Sequence, residues 1–286
     1  MSEYSQGFEA DTGKILNIVI NSLYSDRDIF LRELLSNASD AIHKRKFSGQ
    51  TNPALLNKSN DTIEIEIDKK QKTIEITDTG IGLAEKELAE TLGTIAKSGT
   101  SSFLEELSDS DNTKDAAKTL IGQFGVGFYS AFMVAEKVVV TSTKAGTSEA
   151  FIWESDGQNG FNISGSEQSR NVGTSIKLFL RKDAKDYLDL AKLKTLVKKY
   201  SDHITVPITI KDNKSEAEQA NSAEALWTRS SSSITNEEYT GFFKSTFGAF
   251  DEPYLKIHNK TEAAIDFTNL LFIPKTAPFD LFEPER

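Results

Sequence analysis

The chain has 286 residues, of which 38% are hydrophobic and 27% are charged, and its formal net charge is −10. That length allows one large or two ordinary domains, and the acidic balance argues against broad, nonspecific binding to nucleic acid. The absence of cysteine excludes disulfides and thiolate metal sites and suits a reducing compartment. No apolar run approaches the roughly 20 residues that cross a bilayer, and residues 1–13 lack the pattern of a secretory signal. We therefore predict a cytoplasmic protein whose partners include neither nucleic acid nor a membrane.

Two helices are the first predicted elements. Apolar residues recur at a helical period in residues 15–23, which predicts an amphipathic helix. Ser25, followed three residues later by Asp28, resembles a capping box. This pattern predicts a second helix that continues through residues 29–47.

The second predicted helix carries a polar face. Glu33, Asn37 and Asp40 are spaced so that all three lie on one side of the helix. Apolar residues crowd the neighbouring positions. The face is therefore either a solvated stripe or a half-buried polar site that needs hydrogen-bond partners.

Alternating apolar residues predict strands in the next part of the chain. The polar segment 68–72 connects the first two strands as a hairpin. The predicted strands cover residues 62–67, 73–77, 138–143, 150–154 and 174–180. Because helices and hairpins mix without regular βαβ alternation, we predict an α+β fold, a two-layer sandwich of helices on a mostly antiparallel sheet.

Two motifs rich in glycine follow the hairpin. In "DTGIG", which begins at Asp78 and ends at Gly82, the carboxylate could accept a hydrogen bond from an exocyclic amine while the glycines let a flat ring approach, although a tight turn is the alternative. "GQFGVG", residues 122–127, is either a main-chain cradle for phosphate or a flexible corner. The small, polar residues 93–121 between the motifs predict a lid.

The last quarter of the chain predicts a domain boundary. The charged segment 211–224 lacks apolar periodicity, so it is predicted to link an N-terminal domain, residues 1–210, to a second domain, residues 225–286. Within the second domain, "NLLFIP" predicts a buried strand. Because about 60 residues are few for an independent core, we expect the chain to contain only the beginning of an α/β domain.

Taken in order, these motifs resemble the ATP-binding fold that DNA gyrase, the heat-shock protein 90 chaperones, sensor histidine kinases and MutL share. Five segments are similar specifically to heat-shock protein 90, in particular its bacterial high-temperature protein G branch: "DIFLRELLSNASDAIHK", "DTGIGL", "LGTIAKSGT", "IGQFGVGFYSAFMVAEKVVV" and "ALWTRS". The resemblance covers nearly the whole chain. It implies the Bergerat-type version of the predicted sandwich, followed by the start of a middle domain.

The resemblance also implies a function, that of an ATP-dependent molecular chaperone whose lid and clamp close around client proteins as it binds and hydrolyses Mg-ATP. Glu33 would be the catalytic base, Asn37 would hold Mg²⁺, and Asp78 would accept a hydrogen bond from the adenine amine. Thr174 would support Asp78, and Lys97 would offset phosphate charge. The residues implied to bind ATP or ADP are Asn37, Asp40, Ala41, Asp78, Gly82, Lys97, Ser98, Gly99, Gly122, Gly125, Val126, Gly127, Phe128 and Thr174.

Two features depart from the family pattern. Thr91 stands where many relatives carry asparagine, so no side-chain amide is available to the nucleotide at that position. The resemblance also places a catalytic arginine and a C-terminal dimerisation domain beyond Arg286. We therefore expect this chain to bind ATP but to hydrolyse it weakly, and its full-length parent to be a homodimer.

Two other functions fit parts of the pattern. The first is a MutL-like DNA-repair ATPase, against which the acidic balance and "QFGVGFYSAF" argue. The second is a binding module with a degenerate nucleotide site, which the presence of Glu33, Asn37 and Asp78 disfavours.

Overall fold

The structure, a computed structural model, describes residues 26–57, 59–94, 126–167, 171–261 and 267–277. The chain divides into two compact units, Met1–Asn221 and Ser222–Arg286. Within the described residues, no helix is long and apolar enough to cross a membrane.

In the described part of the first unit, eight strands form one sheet. In chain order these are β1 (Ile63–Asp68), β2 (Thr73–Asp78), β3 (Ala135–Thr143), β4 (Ala150–Ser155), β5 (Phe161–Gly165), β6 (Gly173–Leu180), β7 (Ile208–Asp212) and β8 (Glu218–Gln219). Their order across the sheet is β5-β4-β3-β6-β2-β1-β7-β8. Every neighbouring pair is antiparallel except β1 and β7, which are parallel.

The alternation of residues along β1 separates the two faces of the sheet. Ile63, Ile65 and Ile67 are fully buried, as the period of two in a strand requires. The glutamates between them, Glu64 and Glu66, form ion pairs with a lysine of the neighbouring strand β7. One face of the sheet is therefore apolar and the other carries charge pairs.

Helices cover the apolar face. The first unit contains α1 (Ile29–Thr51), α2 (Glu85–Gly93) and α3 (Leu190–Ser201), with 3-10 helices at Pro53–Leu55, Gly127–Met133 and Lys182–Leu188. The buried apolar residues of these helices and of the strands form one cluster that includes Phe30, Leu34, Ile42, Ile65, Ile76, Leu88, Phe132, Val140, Leu178 and Val197. The predicted fold class, a two-layer α+β sandwich on a mostly antiparallel sheet, is confirmed.

Two local features differ from what the sequence predicted. The predicted cap Ser25 lies outside the described residues, and α1 begins at Ile29 with Asp28 at its N-cap. The Asp28 carboxylate makes no capping bond and accepts a hydrogen bond from the Tyr187 hydroxyl at 2.7 Å. The short strand β5 was not predicted because its residues are mostly exposed.

The segment predicted as a charged linker, residues 211–224, is partly built into the sheet. Its first residues end β7, and Glu218–Gln219 form β8. The buried Asn221 side chain accepts a hydrogen bond from the Ile208 main chain at 2.8 Å and donates to the Val206 carbonyl at 3.0 Å. Charged residues suit this edge of the sheet because their side chains stay in solvent while their main chain pairs with the neighbouring strand. The composition of such an edge strand is the same as that of a charged linker, so composition alone does not separate the two.

The described residues of the second unit form α4 (Asn236–Phe247), the antiparallel pair β9 (Pro253–Thr261) and β10 (Phe267–Pro274), and 3-10 helices at Leu226–Thr228 and Ser231–Ser233. Aromatic side chains of α4 surround Phe272 of β10, and the Phe243 and Phe272 rings are 5.3 Å apart. β10 was predicted to be buried, but Leu271 is 54% exposed and Ile273 is 46% exposed. Their side chains alternate with Phe272, and α4 packs on the face that Phe272 occupies.

Candidate functional site

Asp78 is the last residue of β2 and lies between strands β1 and β6, opposite Ile63 and Thr174. The residue is only 6% exposed. The main-chain amide of Gly80 donates to its Oδ1 atom at 2.7 Å, and the main-chain amide of Thr174 also donates to the carboxylate. The "DTGIG" motif thus holds an acceptor group in the interior at one end of the sheet.

Burial governs the charge of this carboxylate. Loss of solvation raises the pKa of Asp78 from 3.8 to about 7, although the amides of Gly80 and Thr174 and the charge of Arg45 oppose the shift. The Arg45 guanidinium is itself fixed by main-chain carbonyls, since Nη1 donates to Thr79 at 2.8 Å and Nε donates to Leu55 at 2.7 Å. Arg45 was not predicted as a site residue, because nothing in the sequence distinguishes it from the adjacent lysines.

The loop after Asp78 packs directly on α1. The Ile81 amide donates to the carbonyl of Ala41 at 3.0 Å. Gly82 has a φ of +68°, and a Cβ atom there would lie 2.0 Å from the Thr143 carbonyl oxygen. Only glycine fits that position, so the sequence requirement at Gly82 follows from the close approach of β3.

Glu33 lies two turns earlier on α1, next to the start of the 3-10 helix Gly127–Met133. A Cβ atom at Gly127 would lie 2.3 Å from its Oε2 atom, so the glycine allows main chain and carboxylate to meet. The other oxygen, Oε1, accepts from the neighbouring Arg32 guanidinium at 2.6 Å from Nη2 and 3.1 Å from Nε. Glu33 thus presents Oε2 toward Gly127.

The polar face of α1 is half-buried. Glu33, Asn37 and Ala41 are each partly exposed, whereas Asp40 is only 2% exposed. Burial also lowers the pKa of Lys44, one turn beyond Asp40, to about 8, and the attraction of the Asp40 carboxylate opposes that shift. Of the two alternatives for this polar face, this burial excludes a fully solvated stripe and favours a half-buried polar site.

Ser142 of β3 is a site residue that the sequence analysis missed. Its hydroxyl contacts the Thr174 hydroxyl at 2.9 Å and accepts a hydrogen bond from the Leu83 amide at 2.8 Å. Ser142 is 1% exposed and follows the buried Val138 and Val140 at a period of two. The sequence feature that could have identified Ser142 is a serine at an inward-facing position of an otherwise apolar strand.

The structure brings together one part of the predicted site. Asp78, Thr174, Gly82 and Ala41 surround the end of β2, while Glu33 meets Gly127, beside Val126 and the buried Phe128. Asn37 lies on α1 between these two groups. The other predicted residues, Lys97, Ser98, Gly99, Gly122 and Gly125, lie outside the described residues, as do residues 95–121 of the predicted lid.

Comparison with known families matches both parts of the chain. Residues 24–171 match the family described as "Histidine kinase-, DNA gyrase B-, and HSP90-like ATPase", and this match covers just over half of the chain. Residues 209–286 match the family described as "Hsp90 protein". The chain belongs to the family of histidine kinase-, DNA gyrase B- and HSP90-like ATPases. The family resemblance inferred from the motifs is therefore confirmed.

Relatives in this family extend well beyond the chain. Proteins called "Chaperone protein HtpG" from Rickettsia typhi (strain ATCC VR-144 / Wilmington) and Rickettsia prowazekii (strain Madrid E) are 51% identical to it over its whole length. The protein of that name from Rickettsia bellii (strain OSU 85-389) is 50% identical. The chain spans 46% of the length of each of these relatives.

The raised pKa of Asp78 makes the stability of this HSP90-like unit depend on pH. A carboxyl whose pKa is higher in the folded than in the unfolded protein stabilises the fold fully below the unfolded value, 3.8, and that contribution is lost as pH rises through about 7. Asn is neutral at every pH, so replacing Asp78 by Asn removes this loss of stability at higher pH. We therefore expect the thermal unfolding midpoint of Asp78→Asn, relative to the parent, to rise between pH 4 and pH 8.

Asp68→Asn is the matched control for this measurement. Asp68 also ends a strand, but hydrogen bonds from the amides of Gln71 and Lys70 lower its pKa, so its effect should change only at acidic pH. A midpoint difference for Asp78→Asn that stays constant from pH 4 to pH 8 would contradict the assigned burial of the charge.

Proposed function

We propose that this chain is the nucleotide-binding portion of an ATP-dependent molecular chaperone, which binds ATP and ADP with Mg²⁺ and hydrolyses ATP to ADP and phosphate. The observation that carries the proposal is the buried Asp78 carboxylate at the end of β2. It faces α1 across the loop of residues 79–82, which contains Gly80 and Gly82. Two main-chain amides already donate to this carboxylate, and its remaining lone pairs can accept a further hydrogen bond from a ligand.

The end of the site at Asp78 suits a purine base with an exocyclic amine. The carboxylate can accept from that amine, and the loop that ends at Gly82 presents main chain rather than bulky side chains. Thr174 stands opposite Asp78 on the neighbouring strand. These groups fit adenine because its 6-amino group is a donor.

The end of the site at Gly127 suits the phosphates. Glu33 and Ala41 are eight residues apart on α1, which corresponds to about 12 Å along the helix, a span that an extended nucleotide can bridge. We propose that main-chain amides from residue 122 to Phe128 bind the phosphates as an anion nest. Lys97, Ser98 and Gly99 are proposed to add contacts from the lid.

Asn37 is the proposed ligand for Mg²⁺. Among the described residues, no group of three or more His, Cys, Asp or Glu side chains could hold a metal ion. A site with one amide oxygen from Asn37 therefore fits an ion whose other ligands are waters and phosphate oxygens. When bound, Mg²⁺ would offset the negative charge of the phosphates.

Glu33 is the proposed general base. One carboxylate oxygen is paired with Arg32 while the other faces Gly127, where the terminal phosphate and an attacking water are proposed to lie. That arrangement orients the carboxylate before the water arrives. A positioned base accepts the proton as the oxygen–phosphorus bond forms.

The chaperone part of the proposal rests on the relatives. The proteins that are 51% identical over this chain are named chaperones, and the match of residues 209–286 to the Hsp90 family favours this function over a MutL-like repair ATPase. By analogy we propose client proteins as partners, a cytoplasmic location, and a homodimer for the longer protein.

Asp78→Asn tests the proposed binding site for the adenine ring. The substitution keeps the size of the side chain but replaces the charged acceptor, so the binding free energy for ADP should weaken by about 1.5 to 3 kcal/mol. Calorimetric titration with ADP and Mg²⁺ measures the change, and Asp68→Asn at the opposite end of the hairpin should bind like the parent. Equal ADP affinity in parent and Asp78→Asn would refute the assignment.

Glu33→Ala tests the proposed general base of ATP hydrolysis. The variant should bind ADP within about twofold of the parent but hydrolyse ATP about 10²- to 10⁴-fold more slowly, because a general base acts in the transition state. Glu90→Ala, which removes a carboxylate paired with Lys86 on α2, is the control. Phosphate release by Glu33→Ala at the parental rate would assign the role of base to another residue.

A further inference from the structure

The Ser142 hydroxyl connects three parts of the site for the base. It accepts a hydrogen bond at 2.8 Å from the amide of Leu83, the residue that follows the loop of residues 79–82. It also lies 3.2 Å from the Gly173 carbonyl oxygen and 2.9 Å from the Thr174 hydroxyl oxygen. Ser142 and Thr174 are directly paired residues of β3 and β6, so sheet register fixes their contact.

The number of protons determines the direction of these bonds. A serine hydroxyl has one proton to donate and two lone pairs to accept with. The Leu83 amide can only donate, and the Gly173 carbonyl can only accept. We assign the proton of Ser142 to the bond with the Gly173 carbonyl, so that Thr174 donates its own proton to Ser142 in the remaining contact.

We infer that Ser142 is a positioning residue that commits the Thr174 hydroxyl to donate toward β3, so that Thr174 presents only lone pairs to a bound base. The inference rests on the proposed function, because it concerns the base of the nucleotide proposed above. A group that faces Thr174 must then donate a hydrogen bond, whether it belongs to the base or to a bridging water.

This commitment favours an amino group over a carbonyl group at the 6-position of a purine. Asp78 is an acceptor when it is ionised, and Thr174 beside it becomes a second acceptor. Adenine offers an amine to such a pair, whereas hypoxanthine offers a carbonyl oxygen, which would face acceptors without a proton between them. Ser142 thereby contributes to base specificity through Thr174 rather than by touching the ligand.

The burial of Ser142 explains why the arrangement persists. The residue is 1% exposed, so no bulk solvent is available to compete for its hydroxyl. Replacing Ser142 by Ala removes the acceptor, and the Thr174 hydroxyl is then free to rotate and donate toward the ligand. The preference for an amine at that position should fall.

The experiment is a double-mutant cycle read as the ratio of affinities for ADP and inosine diphosphate, measured by calorimetry with Mg²⁺. Ser142→Ala should lower the preference for ADP about fivefold, the effect of one redirected hydrogen bond. In a Thr174→Val background the same substitution should leave the ratio unchanged. Ser175→Ala is the control, because the adjacent Ser175 hydroxyl donates to Glu75 instead.

A second pair of variants keeps the test independent of folding defects. Ser142→Thr and Ser142→Val have nearly the same volume and differ in the hydroxyl, so the first should keep the parental ratio and the second should lose it. An unchanged ratio in both Ser142→Ala and Ser142→Val, or the same decrease with and without the Thr174 hydroxyl, would overturn the inference. A parent that binds no ADP would instead refute the proposed function.

Discussion

The site depends on the cost of holding the Asp78 carboxylate inside the protein. The sheet places this group between two strands, and the amides of Gly80 and Thr174 offset part of the lost solvation, yet the pKa remains raised to about 7. The surrounding features serve that constraint. The Gly80 amide, the Arg45 contacts and the packing of Ile81 on Ala41 all fix the loop that contains the carboxylate. In the proposed function, the amine of adenine supplies the remaining donor.

The predictable part of the molecule was the part that local patterns determine. Alternating isoleucines predicted β1 and β2, and the spacing of Glu33, Asn37 and Asp40 predicted one helical face, because periods of 2 and 3.6 are properties of the chain itself. The position of Asp78 at the end of a strand also followed from the sequence. The contact between Glu33 and Gly127 did not, because it joins residues 94 positions apart whose meeting depends on how α1 packs.

The missed features share a physical reason. Ser142 and Arg45 act through neighbours on other elements, and a single serine or arginine in the sequence does not show which carbonyl it will meet. The charged segment that contains β8 was predicted as a linker because edge strands tolerate polar side chains and β8 is stabilised by pairing with β7. The exposed face of β10 was predicted as buried because apolar composition alone does not show which face a helix will cover.

The central claim is that ADP binds by completing the hydrogen bonding of a buried Asp78 that is only partly ionised before binding. Proton release measures this directly, through calorimetric titration of ADP and Mg²⁺ at pH 7 in buffers with different heats of ionisation. Because an amine donor favours the charged carboxylate, the parent should release up to about half a proton more per ADP than Asp78→Asn. Equal proton release by the parent and by Asp78→Asn would contradict the account.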